Sequence, residues 1–112
     1  MVKQPSVTQL YKGTIELAVL ALLSRRAHYG GEIVDKLASI PGLHTSAGTI
    51  YPLLKRLAKA GALSTSWVES PSGPPRKYYK LTPTGKQDFA ALSAAWHELA
   101  GAITMLLEAT DD

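Results

Sequence analysis

The chain has 112 residues, among which 12 Lys and Arg outnumber 9 Asp and Glu to give a net charge of +3. This length indicates one domain, and the absence of cysteine excludes a disulfide framework, a thiolate metal site and a cysteine nucleophile. The three histidines are far apart in sequence, and none has a partner at metal-ligand spacing. We therefore expect no catalytic activity, no metal and no cofactor.

The charges are distributed unevenly along the chain. Residues 44–86 contain seven cations and one acid, whereas residues 87–112 contain five acids and no Lys or Arg. A basic centre favours a polyanionic partner, and the acidic tail is expected to stay away from that partner. The longest apolar run, Leu17–Leu23, is too short to span a membrane, and the N-terminus lacks the order of a signal peptide. We expect a cytoplasmic protein that does not bind membranes.

The first predicted helix covers Gln9–Ser24, after a loose arm at residues 1–8. Its apolar stripe is wide and consists of Tyr11, Ile15, Ala18, Val19, Leu22 and Leu23. A helix this apolar must be covered on most sides. One small domain offers little cover, so we expect part of it to come from a second subunit.

The next two predicted helices are joined by a turn at residues 40–43. One covers Tyr29–Ser39 and begins with Gly30-Gly31, a pair that weakens the helix but allows close backbone approach. The other follows Thr45 or Ser46, either of which can cap it, and ends before Gly61. Its core-facing stripe is Ile50, Leu53, Leu54 and Leu57. Two short helices in this arrangement form a helix-turn-helix.

The outer face of the third helix combines small polar residues near its N-terminus with cations further along. A helix of this kind suits a DNA major groove, where small residues approach base edges and cations meet phosphates. The alternative is an ordinary amphipathic surface helix that has no role in DNA binding. The candidate DNA-binding residues on this helix are Ser46, Ala47, Thr49, Tyr51, Pro52, Lys55 and Arg56.

A β-hairpin is predicted next, with strands at residues 63–70 and 76–81 and a tip at residues 71–75. Arg76 and Lys77 stand beside the tip, where they can reach phosphate or the minor groove. A hairpin directly after a recognition helix is the wing of a winged helix, although a plain structural hairpin remains the alternative. Arg76 and Lys77 complete the candidate DNA-binding set.

The last predicted helix begins at a Thr82 cap, has Pro83 in its first turn and runs to about Ala109. Apolar residues recur along it at alternating spacings of three and four, which is a heptad seam. A helix this long exceeds the span of so small a domain, so we expect it to pack against its copy in a homodimer. The candidate dimer interface is Phe89, Leu92, Trp96, Leu99, Ile103 and Leu106.

Several of these motifs together resemble the PadR family of bacterial transcription regulators. The resemblance is carried by Tyr29-Gly30, Gly48–Leu57, Gly61, Gly73–Tyr79 and Leu81-Thr82. It implies a winged-helix dimer that is usually a repressor. The single C-terminal helix resembles the short subfamily, some members of which bind flat aromatic compounds or drugs between the subunits. The chain departs from the family pattern at Gly31, where a larger residue is common.

We therefore expect a mainly α fold with a small β-hairpin (α+β). Residues 1–81 would form a winged-helix DNA-binding domain with an N-terminal arm, and residues 82–112 a C-terminal dimerisation helix. The expected function is repression through a pseudo-palindromic double-stranded DNA operator, with release by a small planar aromatic effector. The alternative is a winged-helix protein-interaction module without sequence-specific DNA binding.

The candidate effector site centres on Trp96, which lies in the middle of the seam. In a two-fold dimer such a residue lies near its own copy, and two indoles facing across alanines would form a slot for a planar ligand. The alternative is that Trp96 simply fills the dimer core. The candidate effector-binding residues are Ile15, Val19, Trp96 and Ala100.

Overall fold

The computed structural model describes residues 10, 11 and 13–109, so the arm expected at residues 1–8 and the position of Gln9 lie outside the described residues. The elements follow one another as α1 (Thr14–Leu23), β1 (His28–Tyr29), α2 (Gly30–Ala38), α3 (Ala47–Lys59), β2 (Leu63–Ser70), β3 (Gly73–Leu81) and α4 (Pro83–Glu108). This order is that of a winged helix-turn-helix followed by one long helix. The predicted α+β fold is confirmed.

The core lies where α1, α2, α3 and the sheet meet. Its fully buried side chains include Leu20, Ile33, Ile50 and Leu54. Each such aliphatic side chain stabilises the fold by about 2 kcal/mol relative to leaving it in water. All four residues of the stripe predicted on α3 are buried, so periodicity alone identified the inner face of this helix.

The predicted first helix is interrupted, since Leu10 and Tyr11 are helical but α1 begins only at Thr14. Gly13 has a left-handed φ of 88°, a conformation that interrupts a right-handed helix. The hydroxyl of Thr14 donates to the carbonyl of Tyr11 at 2.6 Å and closes this break. The prediction of one continuous helix over Gln9–Ser24 therefore overlooked the effect of Gly13.

The sheet has the strand order β1–β3–β2 and is antiparallel throughout. Strand β1 was not predicted, because its two residues are too few to form a pattern. The predicted tip was also too long, since β3 begins at Gly73. A register shift between Val68 and Ser70 accommodates the two prolines opposite it, and β1 pairs only further along β3, with Tyr78 and Tyr79. Prolines are tolerated at such a bulge on an unpaired edge.

A tight joint connects the start of α4 to the end of α3. The Thr82 hydroxyl accepts from the Gly85 amide at 3.0 Å, which confirms the predicted cap, and donates to the Gly61 carbonyl at 2.6 Å. The Thr82 amide donates to the Ala62 carbonyl at 3.0 Å. A Cβ at Gly85 would collide with that same carbonyl oxygen. Position 85 therefore requires glycine, because hydrogen bonds hold both the Gly85 backbone and the Ala62 carbonyl in place.

Beyond this joint, α4 first packs along α1 and then leaves the rest of the chain. Phe89 packs against the core, but Leu99, Leu106 and Leu107 are 57%, 72% and 81% exposed. By length and composition alone, α4 is long and apolar enough to cross a membrane. A helix that supplies half of a subunit interface has the same composition, so this finding is weak evidence for a membrane span.

Candidate nucleic-acid interface

The outer face of α3 is open to solvent. Every residue predicted to contact DNA from this helix is exposed, namely Ser46, Ala47, Thr49, Tyr51, Pro52, Lys55 and Arg56. Ser46 precedes the first helical residue, but its side chain makes no capping hydrogen bond. The Thr45 hydroxyl is buried without a partner among the described residues. The predicted position of the cap is right, since Ser46 is the N-cap residue, but its predicted side-chain hydrogen bond is absent. The Ser46 hydroxyl stays available for an external contact.

Pro52 lies inside α3, where its ring removes one amide donor. The carbonyl of Gly48 therefore lacks its usual partner four residues on. Both residues are exposed, so water can satisfy that carbonyl. The proline is tolerated because it sits on the outer face of the helix.

Arg56 has a partner that the sequence did not indicate. Its guanidinium lies 3.1 Å from a carboxylate oxygen of Glu16 on α1. The pair is partly exposed, so its contribution to stability is below about 1 kcal/mol. It fixes the direction of one cation on α3, while no described acid pairs with Lys55.

The wing carries its two predicted cations on aromatic supports. The guanidinium carbon of Arg76 lies 4.4 Å from the centre of the Tyr29 ring. The Lys77 ammonium lies 6.0 Å from the Trp67 ring and 5.8 Å from the Tyr79 ring. All three distances are within cation–π range. Such packing restrains the long side chains and leaves their donors free.

Four aromatic residues near the wing were outside the predicted DNA-binding set, namely Tyr29, Trp67, Tyr78 and Tyr79. Trp67 on β2 is 69% exposed, and its only sequence signal was a large ring in a strand rich in Ser and Thr. Tyr29 contacts Tyr78 edge-on at 5.6 Å between ring centres. Tyr79 is the strand aromatic that enters the core, and burial, with a smaller effect from Tyr51, raises the pKa of its hydroxyl.

Glu32 on α2 follows Tyr29 by three residues, and its carboxylate is bound to Arg26 at 2.7 Å. That hydrogen bond holds the pKa of the Glu32 carboxyl below its ordinary value. Glu32 therefore remains ionised and engaged with Arg26 at neutral pH.

Two of the predicted effector residues lie away from Trp96. Val19 has no exposed surface and Ile15 is almost fully buried, because both face the core. The structure therefore does not place them beside the seam. Trp96 instead borders an open apolar pocket of about 540 Å³, together with Leu17, Ala18, Ala21 and Phe89. Ala100 is half-buried one turn further along α4.

The described residues contain no group of three or more His, Asp or Glu that could hold a metal ion.

Comparison with known proteins places this arrangement in one family. The model of the PadR-like family of transcriptional regulators matches residues 19–91. The crystal structure of a PadR-like transcriptional regulator from Bacillus cereus is 31% identical with a TM-score of 0.82, and the match covers 91% of this chain and 99% of that one. A PadR family regulator from Eggerthella lenta is 38% identical with a TM-score of 0.78, covering 93% and 90%.

A further neighbour was solved on nucleic acid. Bacillus subtilis PadR in complex with operator DNA is 27% identical with a TM-score of 0.63, and the match covers 70% of this chain and 46% of that one. The family model and the structures of the Bacillus cereus and Eggerthella lenta regulators agree with the winged helix-turn-helix described here. The chain belongs to the PadR-like family of transcriptional regulators.

Proposed function

We propose that this regulator acts in the cytoplasm as a homodimeric repressor that binds a pseudo-palindromic DNA operator. One observation carries the proposal: Tyr51 of α3 and the wing cations Arg76 and Lys77 border the same cleft. The recognition helix and the wing therefore present their polar groups side by side. The operator complex of the Bacillus subtilis relative supports the same kind of partner.

The two groups of residues have different roles in this proposal. Ser46, Ala47, Thr49 and Pro52 approach base edges in the major groove, because small side chains let the helix end come close. Lys55, Arg56, Arg76 and Lys77 meet phosphates, which fixes the position of the protein on the duplex. Residues 1–81 are thus the DNA-binding domain.

Residues 82–112 supply the dimer interface in this proposal. Leu92, Trp96, Leu99, Ile103 and Leu106 are exposed along one side of α4, and Ala100 lies beside them. An apolar stripe of this extent on a soluble protein marks an association surface. A second copy of the same chain covers this stripe with its own and creates the two-fold axis that a pseudo-palindrome requires. Phe89 contributes less than the others, since it already packs on its own core.

The effector in this proposal is a small planar aromatic compound beside Trp96. That ring is 44% exposed and borders a pocket of about 540 Å³, a size typical of small-molecule sites. Ligand binding would release DNA if it favours a dimer whose recognition helices are wrongly spaced. The joint at Thr82 links α4 rigidly to the end of α3, so rotation of α4 moves the recognition helix.

The DNA-binding proposal is tested with a mobility-shift titration. The probe is the DNA upstream of the chain's own gene, with random DNA as competitor. Arg76→Ala and Lys77→Ala together should weaken specific and random binding alike and flatten the salt dependence by about one unit per lost phosphate contact. Lys80→Ala is the matched control, because it removes one exposed cation at the base of the same hairpin. No complex with the wild-type protein would favour a protein-interaction module instead.

The effector proposal is tested in a Trp67→Phe background, so that Trp96 is the sole tryptophan. Planar aromatic dyes should quench its fluorescence saturably and weaken operator binding over the same concentrations. Trp96→Ala should abolish dye binding while sedimentation still reports a dimer. If no dye quenches Trp96, or if quenching leaves operator affinity unchanged, Trp96 is a packing residue.

A further inference from the structure

A small cleft lies between the recognition helix and the wing, at the place where β1 ends. We call it the junction cleft. Its volume is about 270 Å³, and it is lined by Tyr29, Gly30, Gly31, Tyr51, Arg76, Lys77 and Tyr79. This volume is below the range of about 300–1,000 Å³ that drug-sized ligands occupy. The junction cleft therefore suits a small group and excludes a large one.

The pair Gly30-Gly31 creates this space. A Cβ at Gly30 would lie 2.8 Å from Cε1 of Tyr51, so the Tyr51 ring rests directly on the backbone of α2. A Cβ at Gly31 would lie 3.4 Å from Cε2 of Tyr29 and 3.9 Å from the Tyr51 hydroxyl. Any longer side chain at position 31 would have to compete with these two rings for room. The cleft is open because this chain has glycine at position 31.

The charge of the junction cleft is positive. Arg76 and Lys77 line it, and neither pairs with an acid in the part of the chain that the structure describes. The Tyr29 ring supports the Arg76 guanidinium at 4.4 Å. A guanidinium supported in this way keeps a planar set of donors that matches two oxygens of a phosphate. The Tyr51 hydroxyl adds a neutral donor from the opposite wall.

We propose that the junction cleft seats one backbone phosphate of the operator, with Arg76, Lys77 and Tyr51 as its ligands and Tyr29 as a positioning residue. The inference rests on the proposed DNA binding and adds to it a specific binding site, or seat, for one phosphate. Because the cleft joins α3 to the wing, a phosphate there fixes the two elements on the duplex relative to each other. Gly31 is part of the site through the space that it leaves.

The test uses the full chain as a dimer on its operator, with Gly31→Leu as the central variant. This substitution fills the cleft without changing any charge. We expect it to weaken operator binding about ten-fold for each of the two clefts in the dimer, which is the loss of one charge-assisted contact per chain, and to lower the salt slope by about 0.9 per cleft. Gly101→Leu is the matched control, because it adds the same side chain at an exposed helical site with nothing within 4 Å. Thermal unfolding of both variants verifies the fold.

Operators with one methylphosphonate at a time identify the phosphate itself. In the wild type, neutralising one phosphate in each half-site should weaken binding about ten-fold per half-site, and in Gly31→Leu the same change should weaken it no further. Tyr29→Leu should reduce sensitivity at that same position, whereas Tyr29→Phe, which keeps the ring, should not. These two variants retain both cations and test the seat even if Gly31→Leu fails to fold.

The outcomes separate the seat from the wider function. If the wild type binds the operator but Gly31→Leu and Tyr29→Leu keep its salt slope and its methylphosphonate profile, the junction cleft holds no phosphate and the inference fails alone. If the wild type forms no operator complex at all, the proposed function fails and the seat fails with it.

Discussion

The winged-helix body, residues 13–82, and helix α4 use apolar side chains in opposite ways. In the body, Leu20, Ile33 and Leu54 are completely buried by elements of the same chain. In α4, Leu106 and Leu107 are 72% and 81% exposed, although the two regions are similarly rich in leucine. The body closes its own core, whereas α4 offers a surface that a partner must cover. The difference separates what stabilises one chain from what assembles two.

The joint at Thr82 and Gly85 connects the self-contained body to the exposed helix α4. On one side of it, the hydroxyl of Thr82 donates to the Gly61 carbonyl and the amide of Thr82 donates to the Ala62 carbonyl. On the other side, α4 continues for 26 residues in total, which is about 39 Å at 1.5 Å per residue. Changes in the body should therefore alter folding, and changes along distal α4 should alter assembly.

The largest effect is expected from Leu99→Asp, which breaks α4 as an interface. A carboxylate buried in an apolar seam without a partner costs several kcal/mol, so the variant should be monomeric at micromolar concentration and bind its operator poorly. The body should keep its fold, because no core residue depends on Leu99. Sedimentation equilibrium and circular dichroism measure the two properties. Ala94→Asp, on another exposed face of α4, should remain dimeric, and a dimeric Leu99→Asp would refute the assigned interface.

The next effect sharpens the comparison by pairing one substitution in each region. Leu54→Ala opens a cavity in the body and should lower the free energy of unfolding by about 3 kcal/mol at any protein concentration. Leu106→Ala should instead shift the concentration at which dimers dissociate. Urea unfolding at two protein concentrations distinguishes these results. A concentration-independent loss of equal size in Leu106→Ala would mean that α4 packs within its own chain.

A smaller effect is expected at the joint itself. Gly85→Ala places a methyl group against the Ala62 carbonyl, and we expect a loss of about 1–3 kcal/mol, as for overpacking elsewhere. Gly101→Ala has open space around it and should be neutral or stabilising by up to about 1 kcal/mol, because alanine favours helix. Thermal melts of the pair test the joint. Equal melting temperatures would show that α4 is not held tightly against the end of α3.

The smallest effect is expected from Glu16→Gln, which frees Arg56. The exposed pair contributes below about 1 kcal/mol, so stability should hardly change. Binding to random DNA should tighten slightly, because one acid is removed and one cation on α3 is released. Glu98→Gln on α4 removes the same charge away from α3 and is the control in fluorescence-anisotropy titrations at low salt. Weaker DNA binding in Glu16→Gln alone would mean that the pair orients Arg56 productively.

The sequence predicted the elements whose patterns are long and local. Ile50, Leu53, Leu54 and Leu57 repeat with the helical period and are all buried, and Thr82 with Pro83 marks the start of α4 where it occurs. Strand β1 escaped prediction because two residues carry no period. The hairpin tip was predicted too long because Gly73, Pro74 and Pro75 are turn formers by composition, yet they lie in β3 beside a bulge.

The site was predictable only where one segment determines it. The exposed face of α3 follows from its own sequence, but the contact between Arg56 and Glu16 joins residues 40 positions apart. The sequence could not identify the inner face of α1 either, because this helix carries apolar residues on most of its sides. Ile15 and Val19 face the core, while Leu17 and Ala18 border the pocket at Trp96. Tertiary packing decides between faces that periodicity leaves equal.

Hydroxyl-radical footprinting of the wild-type protein on the DNA upstream of its gene tests the central claim most directly. A dimer joined through α4 that presents two copies of α3 should protect two half-sites related by a two-fold axis. Their centres should be one helical turn apart, about 10 base pairs, or a multiple of this. A single unpaired protected segment, or no protection at concentrations where the protein is dimeric, would contradict the account.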